Sequence, residues 1–196
     1  MSRATFTQSG QRSAREQILD TASELFARDG FRAVGIDTII ARSGVAKMTL
    51  YRHFPSKDAL IAAYLERSNA IFWEWFEHAL NDSATPREQL QSVFEQLHVF
   101  TSQPSCYGCI FQVAAAEFPD SCHPNHAAAR THKQALIARL ATVCIEAGAR
   151  DPQVLAEQLL LLMDGALVAA RVFGPANHAR HVAAAARTLI DAQFTQ

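Results

Sequence analysis

Turn-forming residues are scarce in this chain of 196 residues, which has 8 glycines and 7 prolines against the roughly 7% and 5% of ordinary usage. An all-β fold, which needs a turn after every short strand, is excluded by that shortage. Cysteine is sparse too, at four residues. A chain long enough to bury its own core has no need of a disulfide framework, so free thiols in a reducing compartment are expected. No charge of one sign dominates, the formal net charge being -1. The most apolar stretch, Leu159 to Ala170, is broken by Asp164, and no basic segment leading into an apolar run opens the chain. Neither a membrane span nor a secretory signal is therefore expected, and the cytoplasm is the expected location. What the chain has instead is 49% hydrophobic residues and 35 alanines, a composition suited to long helices joined by few turns.

The near-neutral total conceals an asymmetry. Residues 1 to 60 hold nine Lys and Arg against six Asp and Glu, whereas residues 61 to 196 hold nine against thirteen, so the two parts are expected to meet different partners. Residues 1 to 12 are polar and aperiodic, and read as a mobile arm carrying Arg3 and Arg12. From Ser13, Ile18, Ala22, Leu25 and Phe26 recur at helical spacing as far as Asp29-Gly30. Ile36, Ile39 and Ile40 mark a short second helix ending at Ser43-Gly44, and a third runs from about Ala46 to His53 before Pro55. Ser56 is placed to cap a fourth helix over 57–80, with Asp58 in its first turn and Ile61, Leu65, Phe72, Phe76 and Leu80 along one stripe. Pro86 opens a helix to about Ser102, Pro104 breaks it, and further helices are expected over 107–118, 124–148, 152–173 and 177–194. The spacing predicts an all-α chain of about nine helices without internal repeats.

The charge of the first part is concentrated. Arg42, Lys47, Arg52 and Lys57 fall between Asp37 and Asp58 with no acid among them. Two short helices joined through a glycine turn, the second bearing Lys47, Met48, Thr49, Tyr51, Arg52 and His53, supply what reading a DNA major groove requires. A helix fits the groove, Arg and Lys reach phosphates or guanine edges, and Met packs on a thymine methyl. Taken alone, such a face serves equally as a solvated surface. The run from Gly44 to Leu60, GVAKMTLYRHFPSKDAL, closely resembles the TetR family of bacterial transcriptional regulators. The resemblance is specific over residues 13 to 65 and weaker around Cys109 to Pro119.

That resemblance implies a three-helix helix-turn-helix DNA-binding domain over 13–56, after the arm at 1–12, followed by a larger helical ligand-binding and dimerisation domain over 57–196. It implies a homodimer that binds double-stranded operator DNA and releases it on binding a small molecule. Carried onto this chain, it makes Lys47, Met48, Thr49 and Arg52 candidates for base or backbone contact, Tyr51, His53 and Lys57 candidates for phosphate contact, and Thr38 an added contact from the second helix. Members often have Ser or Thr where this chain has Gly35 and Ala46, so two hydroxyls that cap helices and reach DNA are missing, and affinity is expected to lean on Arg42 and the arm.

In the larger part, Phe72, Trp73, Trp75, Phe76, Phe94, Phe100, Phe111 and Phe118 crowd into residues 72 to 118. Either they are core, or they line a cavity for an apolar or aromatic effector. Phe72, Trp73, Phe76 and Phe111 are the candidate wall, and Asn69, Glu117, His132 and Asp164 the polar residues able to orient a ligand. Cys106-Tyr107-Gly108-Cys109, with Cys122-His123 beyond, has a spacing seen in zinc and redox sites. A single CxxC lacks the second ligand pair that zinc needs, so no metal and no cofactor are expected; chain packing is the favoured reading, with thiol sensing the alternative. Leu159 to Met163 and Gly165 to Ala170 make a helix apolar almost all round. With Val182, Ala183, Ala186, Leu189 and Ile190 of the last helix, it suits a four-helix interface across a twofold axis. An enzyme is the rival class, as is a dimeric ligand-binding protein without operator recognition. No HExxH, Gly-rich phosphate loop or ordered Ser-His-Asp set supports catalysis.

Overall fold

The computed structural model describes residues 13–81 and 84–194, so the arm over 1–12, with Arg3 and Arg12, lies outside the described residues. These contain nine α-helices, one 3-10 turn and no strand, and the expected all-α class holds. α1 (Ala14–Asp29) begins where the Ser13 hydroxyl accepts from the Glu16 amide while the Glu16 carboxylate accepts from the Ser13 amide, a reciprocal cap that satisfies donors left free at a helix start. Its buried residues Ile18, Leu19, Ala22, Leu25 and Phe26 repeat at the helical period. α2 (Ile36–Ser43) ends at Gly44, whose φ of 68° is the left-handed conformation that closes helices and that side chains rarely adopt. α3 (Lys47–His53) and α4 (Lys57–Asn81) follow, and the Ser56 hydroxyl accepts from the Ala59 amide at the start of α4.

α1 packs on both α2 and α3. Gln17 Nε2 donates to the Ser43 carbonyl at 2.7 Å, filling one of the acceptors that a helix end leaves open. Ile39, Leu50 and Phe54 are buried. Phe26 gathers Phe31 and Tyr64 around it, with ring centroids 5.2 and 5.8 Å away. This helix-turn-helix unit is compact through Tyr64. Its limit lies two turns inside α4 rather than at Lys57, because Leu60, Ile61 and Tyr64 are buried.

The second unit begins at Leu65. It holds the remainder of α4 with α5 (Pro86–Thr101), α6 (Ile110–Glu117), α7 (Pro124–Glu146), α8 (Pro152–Phe173), a 3-10 turn (His178–His181) and α9 (Val182–Ala192). α7 packs against α5, α6 and α8, while α9 packs against α5 and α8, around a core that includes Phe76, Leu80, Phe94, Leu136, Leu159 and Met163.

Two elements differ from expectation. The helix expected over 107–118 starts only at Ile110, because Gly108 has a φ of 83° and lies on α8, where a Cβ would sit 2.9 Å from the Leu167 carbonyl oxygen. Arg171 Nη1 donates to the Tyr107 carbonyl at 2.7 Å and pins the same loop. The helix expected over 177–194 is divided into the 3-10 turn and α9. Asn177 sets that break, donating through Nδ2 to the Thr101 and Gly174 carbonyls and accepting from the Ala179 amide. α8 is long and apolar enough to cross a bilayer, yet half of that stretch is buried within the fold, and its central Asp164 is ion-paired with Lys133, which is the pattern of a core helix.

Candidate nucleic-acid interface and effector site

α3 divides sharply by face. Leu50 is fully buried, which fixes the helix, while Met48 on the opposite side is 81% exposed. Lys47, Tyr51 and Arg52 are exposed beside it, and Thr49 and His53 are half-buried. On α2, Thr38 and Arg42 are exposed, and Lys57 is half-buried at the first residue of α4. An exposed Met has no packing role in the folded chain, and a strip of cations and hydroxyls around it matches phosphate oxygens and base edges. Lys47 Nζ lies 3.4 Å from the Asp37 carboxylate on α2, with both side chains largely in solvent. Such a pair contributes at most about 1 kcal/mol and is readily exchanged for a phosphate; sequence reasoning missed it because ten residues separate the partners. No side chain caps α2 at Gly35 or α3 at Ala46.

Four of the candidate effector residues, Asn69, Phe72, Trp73 and Phe111, meet at the imidazole of a fifth, His132. His132, on the buried face of α7 and 4% exposed, lies flat against the Phe111 ring at a centroid distance of 3.8 Å. Phe72 meets it edge-on at 4.7 Å and Trp73 at 6.5 Å. Its Nδ1 is 2.8 Å from Asn69 Oδ1. Burial, assisted by the neighbouring Lys133 charge, pushes the imidazole down to about 4, so the ring is neutral near pH 7. Phe76 stacks on Phe72 but is sealed in the core. Asp164 is reached through Lys133, the residue after His132. Glu117 stands half-buried at the end of α6, six residues beyond Phe111. An Arg139–Glu77 bidentate ion pair at 2.8 and 2.9 Å ties α7 to α4 below the cluster, and holds the Glu77 carboxyl below its ordinary range.

The thiols are dispersed in environment. Cys106 and Cys144 are buried and Cys122 is exposed. Burial pushes the Cys106 thiol up and the Cys144 thiol up to about 11, which suppresses the reactive thiolate at both. Cys109, half-buried, caps α6 without a side-chain hydrogen bond. Among the described residues no three of His, Cys, Asp and Glu converge as metal ligands.

α8 also shows an outward stripe. Val154, Leu161, Val168 and Val172 are exposed, Leu161 at 72%, and Gly165 between them would meet nothing if given a Cβ. On α9, Val182, Ala186 and Ile190 are buried in the chain's own core, because that helix packs on α5 and α8. Ala183 and Leu189 remain half-buried.

Residues 18–64 match the family model described as bacterial regulatory proteins, tetR family. The crystal structure of SCO4454, a TetR-family transcriptional regulator from Streptomyces coelicolor, is similar with a TM-score of 0.89 and 31% identity, covering 93% of this chain and 96% of that one. The sav143 structure from Streptomyces avermitilis is similar with a TM-score of 0.81 and 34% identity, covering 94% and 100%. Over 99 residues the chain is 36% identical to the HTH-type transcriptional activator FasR of Mycolicibacterium smegmatis, spanning 50% of this chain and 45% of that protein. The match therefore covers under half of FasR's own length.

Proposed function

The chain belongs to the TetR family of bacterial transcriptional regulators, and from that premise we propose that it is a ligand-responsive repressor acting in the cytoplasm. It binds a palindromic operator as a homodimer and releases it when a small apolar or aromatic effector occupies the site around His132. The two-faced α3, with Leu50 buried and Met48 exposed among cations, carries the reading. A reading head that runs through Tyr64 and a body that begins at Leu65 share α4, which has Lys57 at its first residue and Asn69 and Phe72 roughly four turns along. An effector that favours one position of this helix shifts the population of heads able to span both half-sites.

The stripe on α8 supports a twofold interface, and a twofold protein requires a twofold operator. FasR is named an activator, so the sign of regulation is read separately, from a reporter whose promoter overlaps the operator: deletion of the gene raises its expression under repression and lowers it under activation.

Selection of duplexes from a randomised pool at near-physiological salt tests the operator. The expected product is a palindrome, and Arg52→Ala weakens binding to it by about 1–3 kcal/mol. Enrichment of no sequence by a folded dimer sinks the operator assignment.

A further inference from the structure

We propose that the effector is a neutral, largely apolar molecule bearing a hydroxyl-type hydrogen-bond donor, of the alkylphenol class, whose proton is accepted by His132 Nε2. The inference rests on the effector reading above and deepens it.

An amide oxygen can only accept. The 2.8 Å contact between His132 Nδ1 and Asn69 Oδ1 therefore puts the imidazole proton on Nδ1 and leaves Nε2 with a lone pair. Phe111 covers one face of the ring, and Phe72 meets the ring edge-on. Asn69 occupies Nδ1, and Nε2 makes no hydrogen bond among the described residues. Among the described residues, the side-chain polar atoms that are both sealed and unbonded are His98 Nδ1 and Asn125 Nδ2. Nε2 is unbonded yet not among them, so it is not sealed from solvent. An acceptor in that position, walled by Phe72, Trp73 and Phe111, selects for a donor on an apolar body.

It also selects against charge. A carboxylate would press its own lone pairs against that of Nε2. The nearby Lys133 ammonium offers no rescue, since the Asp164 carboxylate already pairs with it. The depressed proton affinity of His132 disfavours conversion to an imidazolium that could welcome an acid.

Three probes that share a 4-ethylphenyl body separate these cases: 4-ethylphenol, its methyl ether and 4-ethylbenzoate. The chain's two tryptophans are Trp73 and Trp75, so intrinsic fluorescence of the full-length protein reports on this region without DNA. 4-Ethylphenol is expected to bind at least about tenfold more tightly than the ether, because a buried acceptor left without its donor is costly, and more tightly than the benzoate. In His132→Phe the phenol and the ether should bind equally. Equal affinities in the unaltered protein, preference for the benzoate, or binding of none of the three overturns the proposal.

Should the variant fail to fold, 15N spectra of the imidazole in the unaltered protein decide. A pyridine-like Nε2 that shifts on adding 4-ethylphenol is the expected result, and a protonated Nε2 overturns it. A failed operator selection leaves these titrations standing, and failed titrations leave a selected operator standing, so the two readings fall separately.

Discussion

Because His132 titrates near 4 when folded and near 6.5 in an ordinary environment, the unfolded chain binds the extra proton over that interval and the folded chain does not. Stability is therefore complete above about pH 6.5 and falls as the pH drops toward 4, by about 3 kcal/mol in total. Urea unfolding at stepped pH checks this: the loss between pH 6.5 and 4.5 should be clearly smaller in His132→Phe. Glu77, held low by Arg139, loses its contribution only below the ordinary carboxylate range, so the two windows separate. At Gly108 the argument is steric. Its positive φ and the 2.9 Å approach to the Leu167 carbonyl leave Gly108→Ala both strained and crowded, for an expected loss of about 2 kcal/mol. Thermal unfolding should show that loss while operator affinity per folded dimer stays unchanged, since the residue lies far along the chain from α3; an unshifted melting temperature would refute the close packing.

The short helices of the reading head are under-capped. Ala46 sits in the extended conformation, φ -61° and ψ 143°, that a capping serine adopts, so Ala46→Ser should add about 1 kcal/mol. That raises the melting temperature by roughly 2–4 °C in a chain of this size, and no rise would show that the α3 start is satisfied some other way. Elements set by neighbours in sequence were legible beforehand. The stripe of Ile18, Ala22, Leu25 and Phe26 announces α1, Gly44 ends α2, and Ser56 opens α4, because caps and helical stripes need only a few adjacent residues. The start of α6 was not legible, since it is fixed by Leu167 and Arg171 from more than fifty residues away. The site follows the same rule. The aromatic residues around residue 72 were visible by type, whereas the Asn69–His132 bond joins residues 63 apart and the Lys133–Asp164 ion pair joins residues 31 apart. Residue type is visible in a sequence; which distant polar group answers which is decided by packing.

For the whole molecule, the outward stripe of α8 is the feature that the isolated fold leaves unexplained. Leu161 is 72% exposed while Leu159, Leu160 and Met163 around it are buried, so Leu161 contributes nothing to the core of its own chain. Val154, Leu161, Val168 and Val172 recur at intervals of seven and four residues on one face, with Gly165 leaving room for close approach between helices. Placing a guanidinium at the centre of that face, Leu161→Arg, would bury an unpaired charge in a twofold interface, yet only decorate the surface of a monomer. Sedimentation should therefore show the unaltered protein as a dimer and the variant as a monomer with an unchanged melting profile below dimer-forming concentrations. A monomer engages one half-site and forfeits the effective concentration of the second head, so operator affinity should fall by about a hundredfold or more. Probe binding at His132, which uses residues of a single chain, should persist. A Leu161→Arg variant that still sediments as a dimer and still holds its operator would move the interface off this face of α8.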